Sequence, residues 1–189
     1  MSPPSQPPDS ELARQAAGGD DRAFAELVRR HQDDLFRLLQ RYLGNADEAR
    51  EAAHEAFVAA WGALKRYDPA RPFGAWLRTI GVNKARDRGR RMAVRRALFR
   101  EADPATAEGP GWRASEPAAD EAMIEAERLR TLERAIARLP DQLKAPLLLT
   151  AFEGLSQKEA GETLGVSAKT IETRVYRARK LLADRLARG

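Results

Sequence analysis

The chain has 189 residues, 43% of them hydrophobic and 6% aromatic, which is enough apolar material for one or two small domains and too much for wholesale disorder. Lys and Arg outnumber Asp and Glu by 33 to 28; the resulting charge of +5 suits a polyanionic partner and an ordinary charged helical surface about equally, so its distribution along the chain has to separate the two. The lack of cysteine excludes disulfides, thiolate metal sites and cysteine nucleophiles, and two histidines (His31 and His54) are too few for a His-rich metal centre.

The N-terminal stretch 1–9 is rich in Pro and Ser, with neither the basic nor the apolar region of a signal peptide, and reads as a disordered tail. A first amphipathic helix follows: Phe24, Leu27, Val28, His31, Leu35, Leu38, Leu39 and Tyr42 share one face, with Asp20 and Asp21 as candidate caps. His31 lies on that stripe and reads as a packed or partly exposed neutral histidine. Gly44-Asn45 is a stop signal, and a second helix from about Asp47 carries Phe57, Trp61 and Leu64 at helical spacing. Two prolines three residues apart make 67–72 a loop. A third helix begins near Phe73 and runs through Trp76, Leu77 and Ile80 into a basic block, residues 84–100, holding eight Lys/Arg and one Asp. Residues 101–127 reverse the sign, with eight Asp/Glu and one Arg among several Pro and Gly, and read as a flexible acidic linker.

Apolar periodicity resumes at Leu129. Leu132, Ile136 and Leu139 form one stripe that Pro140 ends, and Leu147, Leu148, Leu149, Phe152 and Leu155 form the next. Ser156 with Glu159 makes a capping box, Ala160 and Gly161 permit close packing, Gly165 suits a turn of positive φ, and Ser167 caps a last helix. Ile171 and Val175 of that helix face inward, which leaves a basic outer face. A capped helix, a turn glycine and a second capped helix in this order predict a DNA-binding helix-turn-helix. An amphipathic hairpin with a solvated basic face is the plainer alternative. No β-alternation of useful length occurs, so the expected fold is all-α: two small helical domains, 10–97 and 123–187, joined by a linker over 98–122.

The segment Asp47–Trp61, with Tyr67-Asp68-Pro69 and Arg71-Pro72-Phe73-Gly74-Ala75-Trp76-Leu77-Arg78-Thr79-Ile80-Gly81-Val82-Asn83, closely resembles region 2 of extracytoplasmic-function (ECF) sigma factors. Residues 139–182 resemble their region 4, notably in Leu139-Pro140, Gly154-Leu155-Ser156 and Tyr176-Arg177-Ala178-Arg179. The resemblance implies a sigma factor that recognises promoter DNA and initiates transcription on core RNA polymerase, docked on its clamp helices and flap. Tyr67, Asp68, Arg71, Phe73, Trp76, Asn83, Lys84, Arg86 and Arg90 would engage the −10 element, with Arg88 and Arg91 as further phosphate contacts. Ser167, Lys169, Thr170, Glu172, Thr173, Arg174, Tyr176 and Arg177 would engage the −35 element. Glu51, His54, Glu55 and Phe57 would meet the polymerase, although Phe57 and Trp61 also suit a core.

Two departures stand out. Glu51-Ala52-Ala53-His54 replaces the family's more apolar Asp-Leu-Val-Gln pattern. Glu172 stands where a basic residue is frequent; its carboxylate would repel phosphate, yet accepts a hydrogen bond from a cytosine amino group. The resemblance also implies an anti-sigma factor; the lack of an apolar run of the ~18–20 residues a membrane span needs and of a signal peptide leads one to expect a cytoplasmic location without membrane insertion, and no cofactor or metal is expected. A stand-alone helix-turn-helix regulator would leave region 2 unexplained. A sigma-like decoy would carry a receiver domain for which this chain has no room. No catalytic constellation assembles from the sequence, so an enzyme is the least expected class.

Overall fold

The computed structural model describes residues 7–99 and 119–187, and among them only helices and turns occur. The N-terminal unit comprises α1 (Asp9–Ala17), α2 (Asp21–Leu43), α3 (Ala46–Ala63), a 3-10 turn over Leu64–Arg66, and α4 (Phe73–Phe99). The C-terminal unit comprises α5 (Ala119–Ala137), α6 (Asp141–Leu147), a π-turn over Leu148–Phe152, α7 (Gln157–Leu164) and α8 (Ala168–Leu186).

Local chemistry sets the helix ends. The Asp20 carboxylate accepts from the backbone N–H groups of Arg22 and Ala23, at 2.9 and 3.2 Å, and so caps α2. Gly44 closes α2 in the left-handed region (φ 69°), and its N–H donates to the Gln40 carbonyl. Asn45 then accepts from the Glu48 N–H at 2.9 Å and starts α3.

Leu27, Leu35, Leu38, Leu39 and Tyr42 of α2 are buried as the sequence predicts, and Phe24, Val28 and His31 are half-buried. Of the expected Phe57–Trp61–Leu64 face, Leu64 is buried and Phe57 half-buried, but the buried stripe of α3 itself is a different one. It consists of Ala49, Ala52, Ala53, Ala56 and Ala60, small side chains that let α3 lie close against α2 and α4, while Trp61 stays 39% exposed. Gly81 makes the same close approach on α4, where a Cβ would stand 2.6 Å from Leu35 Cδ1. In the C-terminal unit, Ile136, Leu139, Leu148, Leu149, Ile171 and Ala178 build the core. Each fully buried Leu or Ile contributes about 1.5–3 kcal/mol.

Three expected boundaries shift. Asp9 is no part of a tail: it opens α1, accepts from Arg30 and pairs with His31, and residues 1–6 lie outside the described part. Helix α4 extends to Phe99 and α5 begins at Ala119, so helix covers both ends of the expected linker, whose middle (100–118) lies outside the described residues.

The two units pack on each other where α2 and α5 end. Lys144 of α6 is buried, and its Nζ donates to the Tyr42 carbonyl at 3.0 Å and the Ala137 carbonyl at 2.6 Å, with the Tyr42 ring 5.0 Å away. One ammonium thereby serves the carbonyl-rich, partially negative ends of two helices, one from each unit. Beside it, a Cβ on Gly44 would come within 2.8 Å of the Ala137 Cβ. Arg41 lies over the Phe152 ring at 5.0 Å, with Glu133 3.6 Å from its Nε.

Candidate nucleic-acid interface

The turn 67–72 and the start of α4 form a cleft of about 480 Å³, lined among others by Asp9, His31, Tyr67, Arg71, Phe73 and Arg78. Asp68 holds the turn: its side chain accepts from the Ala70 N–H at 2.9 Å, and its carbonyl accepts from the Arg71 N–H. The Tyr67 hydroxyl donates to the Arg71 carbonyl at 2.6 Å. The Tyr67, Phe73 and Trp76 rings meet at centroid separations of 5.2–5.5 Å.

Phe73 is only 2% exposed, so it is the floor of this cluster, and the half-buried Tyr67 and Trp76 supply the accessible ring surface. Asp68 likewise shapes the loop. Asp9 and His31, which the sequence did not mark as site residues, form one wall and are joined by a 2.7 Å contact. Their link joins residues 22 apart across a helix break, so no local pattern announces it.

Farther along α4, Asn83 and Arg90 are exposed and Lys84 and Arg86 half-buried, while Arg90 pairs with Asp87. Arg88 behaves differently. It turns toward α3, where its guanidinium pairs with Glu48 and, at 2.8 Å, with Glu55. Burial opposes its charged form, and the hydrogen bond to Glu48 with the charges of Glu48, Glu55 and Glu51 outweighs that and raises its pKa. Arg88 therefore joins α4 to α3, and Glu55 is already engaged within the chain. Glu51 and His54 are exposed, and Phe57 packs edge-on against Phe24 at 6.4 Å. Val58 and Trp61 complete the outer face of α3 at 57% and 39% exposure.

The C-terminal helix pair has the expected caps. The Ser156 hydroxyl accepts from the Glu159 N–H, and the Glu159 carboxylate accepts from the Ser156 hydroxyl and from the Ser156 N–H, which together lower the Glu159 pKa. Gly165 adopts φ 68° in the turn, and a Cβ on Gly161 within α7 would stand 2.6 Å from the Val166 carbonyl oxygen, so both glycines are required. Ser167 accepts from the Thr170 N–H at 3.1 Å and starts α8.

Helix α8 buries Ile171, Ala178 and Leu182 and half-buries Val175. Lys169, Glu172, Thr173, Tyr176 and Arg177 point outward, and Tyr176 is 69% exposed. Arg174 is half-buried. Lys169 and Glu172 pair at 2.8 Å, so the carboxylate on this basic face has a cation one turn away. The Thr173 hydroxyl donates to the Lys169 carbonyl.

The C-terminal unit also touches the cleft side of the N-terminal one. Glu162 of α7 lies 3.4 Å from Arg71, and Glu153 lies 3.1 Å from Arg78 with only 11% of its side chain exposed. Burial raises the Glu153 pKa, and Arg78 offsets this only in part. The hydroxyls of Thr79 and Thr163 are 3.3 Å apart.

Comparison with known proteins matches residues 27–96 to Sigma-70 region 2 and residues 129–182 to Sigma-70, region 4. RNA polymerase sigma factor CnrH of Cupriavidus metallidurans is 38% identical, over 93% of this chain and 92% of its own length. ECF RNA polymerase sigma factor SigW of Bacillus subtilis is 33% identical, over 92% of this chain and 94% of its own. Among solved structures, CnrH in complex with the cytosolic domain of CnrY superposes with a TM-score of 0.66 at 34% identity, covering 95% of this chain and 97% of that one. The sigma factor RpoE of Bartonella quintana, in complex with the anti-sigma factor NepR, shares the fold at a TM-score of 0.63 and 21% identity, covering 87% and 96% of the two chains.

Proposed function

The chain belongs to the ECF sigma factors, and we propose that it reads the −10 element with the cleft and outer face of α4 and the −35 element with α8. Members of this family bind core RNA polymerase, recognise both promoter elements and start transcription at a defined set of promoters.

The observation that carries the assignment of residues is the order of groups along one surface. An aromatic-floored cleft precedes exposed Asn83, and Asn83 precedes Lys84, Arg86 and Arg90 on the same helix. Opening a duplex costs a few kcal/mol of stacking, and a cleft that receives the unstacked base returns part of that cost. Tyr67 and Trp76 offer ring faces for stacking, Arg71 stands at the rim, and the Asn83 amide both donates to and accepts from a base edge. Lys84, Arg86 and Arg90 take phosphates, which fixes the register of the strand without reading it. Phe73 and Asp68 act indirectly, by holding the rings and the loop.

Ser167 places the first turn of α8 at the major groove. From it Lys169, Thr170, Glu172 and Thr173 read base edges, while Arg174, Tyr176 and Arg177 reach phosphates and sugars. Glu51, His54 and Glu55 with the Phe57–Trp61 side of α3 form the docking face for the clamp of the polymerase, and the C-terminal unit meets the flap. CnrH has been solved with the cytosolic domain of CnrY, and this similarity supports an inhibitory, anti-sigma partner for the present chain, acting in the cytoplasm.

Run-off transcription with purified core polymerase tests the reading. Defined new transcripts are expected only when the chain is added, and they should weaken with Asn83→Ala. Core polymerase that starts at the same sites without the chain, or Asn83→Ala with unaltered −10 preference and promoter opening, would refute it.

A further inference from the structure

His31 is held in the cleft wall by groups far from it in sequence. Its Nε2 lies 2.7 Å from one carboxylate oxygen of Asp9, and the other oxygen accepts from Arg30 at 2.9 Å. Arg30 is itself anchored on the Pro7 carbonyl at 2.8 Å. The imidazole rests on buried Phe73, with ring centroids 5.4 Å apart. Its second nitrogen, Nδ1, has no hydrogen-bond partner among the described residues, yet it is not sealed in the core, because the ring lines the cleft. Gly74 keeps that ring edge open. A Cβ there would stand 3.2 Å from His31 Cε1 and 3.3 Å from Nδ1.

We infer that His31 is a specificity residue of the cleft: its Nδ1 accepts from the exocyclic amino group of an unstacked adenine or cytosine, and Asp9 positions it to do so. This rests on the promoter-reading assignment above. In a neutral imidazole one nitrogen donates and the other accepts. An ionised carboxylate only accepts, so Asp9 selects the tautomer protonated on Nε2 and leaves Nδ1 with its lone pair. Adenine N6 and cytosine N4 carry amino groups where guanine O6 and thymine O4 carry oxygens. The lone pair attracts the first two and repels the others. The rest of the cleft suits the same guest. Tyr67 offers a ring for stacking, and Arg71 and Arg78 are cations fitted to the adjoining phosphates.

Run-off transcription by core polymerase with the full chain, from a promoter library randomised across the −10 element, tests the inference. The wild-type chain is expected to favour adenine and cytosine over guanine and thymine at one −10 position by about tenfold, the scale of one hydrogen bond. His31→Phe keeps a ring against Phe73 and removes both nitrogens, so it should flatten the preference at that position and no other. Gly74→Ala places a methyl group against the Nδ1 edge at unchanged charge, and should flatten the same position. Asp9→Asn permits either tautomer, since an amide both donates and accepts, and should weaken the preference several-fold. In the His31→Phe background the same Asp9 change should alter that position no further, which a purely structural role for Asp9 does not predict.

An unaltered base profile in either His31→Phe or Gly74→Ala, with the helical circular dichroism of wild type, overturns the inference. A uniform loss of transcripts across all sequences does the same, because it marks His31 as a packing residue. A wild-type chain that directs no transcripts, or transcripts indifferent to the −10 sequence, overturns the promoter-reading assignment and takes the inference with it.

Discussion

Lys144→Met isolates the ammonium that joins the two helix ends, because methionine keeps most of the apolar stem and removes the charge and its donors. The wild-type side chain is 8% exposed, with Nζ 3.0 Å from the Tyr42 carbonyl and 2.6 Å from the Ala137 carbonyl. Asp141, at 3.9 Å, is a weaker neighbour. Charge-assisted hydrogen bonds contribute about 1.5–3 kcal/mol each, and a carbonyl left buried without a donor costs about 1–3 kcal/mol. Against this stands the desolvation of a buried ammonium, which methionine no longer suffers. The balance favours lysine, because both acceptors are fixed backbone groups at partially negative helix ends. A net loss of about 2–4 kcal/mol is expected. For a chain of this length each kcal/mol lowers Tm by roughly 2–4 °C, so differential scanning calorimetry should record a fall of about 5–15 °C. A Tm at or above the wild-type value would mean that desolvation outweighs the two bonds, and the Lys144 ammonium would be no source of stability.

Three further outcomes follow from the geometry. Gly161→Ala places a methyl group 2.6 Å from the Val166 carbonyl oxygen; it should destabilise the C-terminal unit by about 1–3 kcal/mol in urea denaturation and weaken −35 duplex binding. Because burial raises the Glu153 carboxyl above its ordinary pKa of 4.5, its stabilising contribution is complete below that pH and is lost as the pH rises through the raised native value. Glu153→Gln removes the buried charge at nearly constant shape, so its Tm should exceed wild type at pH 7 and converge with it below about pH 4.5; an advantage that grew on acidification would contradict the assigned cause. Replacing Lys84 and Arg86 by Ala should weaken promoter binding broadly and reduce the slope of log affinity against log salt by about one per lost phosphate contact, as read by fluorescence anisotropy at several salt concentrations.

Local signals carried far in the sequence and tertiary ones did not. The Ser156–Glu159 box, the Gly165 turn and the Asp20 cap are each encoded within a few residues, and their geometry appears as expected. Lys144 and Tyr42 are 102 residues apart and Arg88 and Glu48 are 40 apart, so neither pairing leaves a periodic trace. In the sequence Arg88 is one more basic residue in a basic block; only the packing of α4 on α3 separates it from Lys84 and Arg86. The resemblance sets Phe73 among the residues that would engage DNA, yet contact with His31, Tyr67 and Trp76 buries it. Helix α3 misled for the opposite reason: its large apolar residues drew attention, and its alanines do the close packing.

The bridge from Arg88 to Glu48 and Glu55 ties two surfaces with different tasks. A guanidinium held by two carboxylates has little left to offer a phosphate, so the positive potential along α4 is weaker at this point than its sequence implies. Removing either carboxylate would free part of the guanidinium and raise the positive potential of α4 at this point. The charge balance of the outer faces of α3 and α4 is in this way shared through a single side chain.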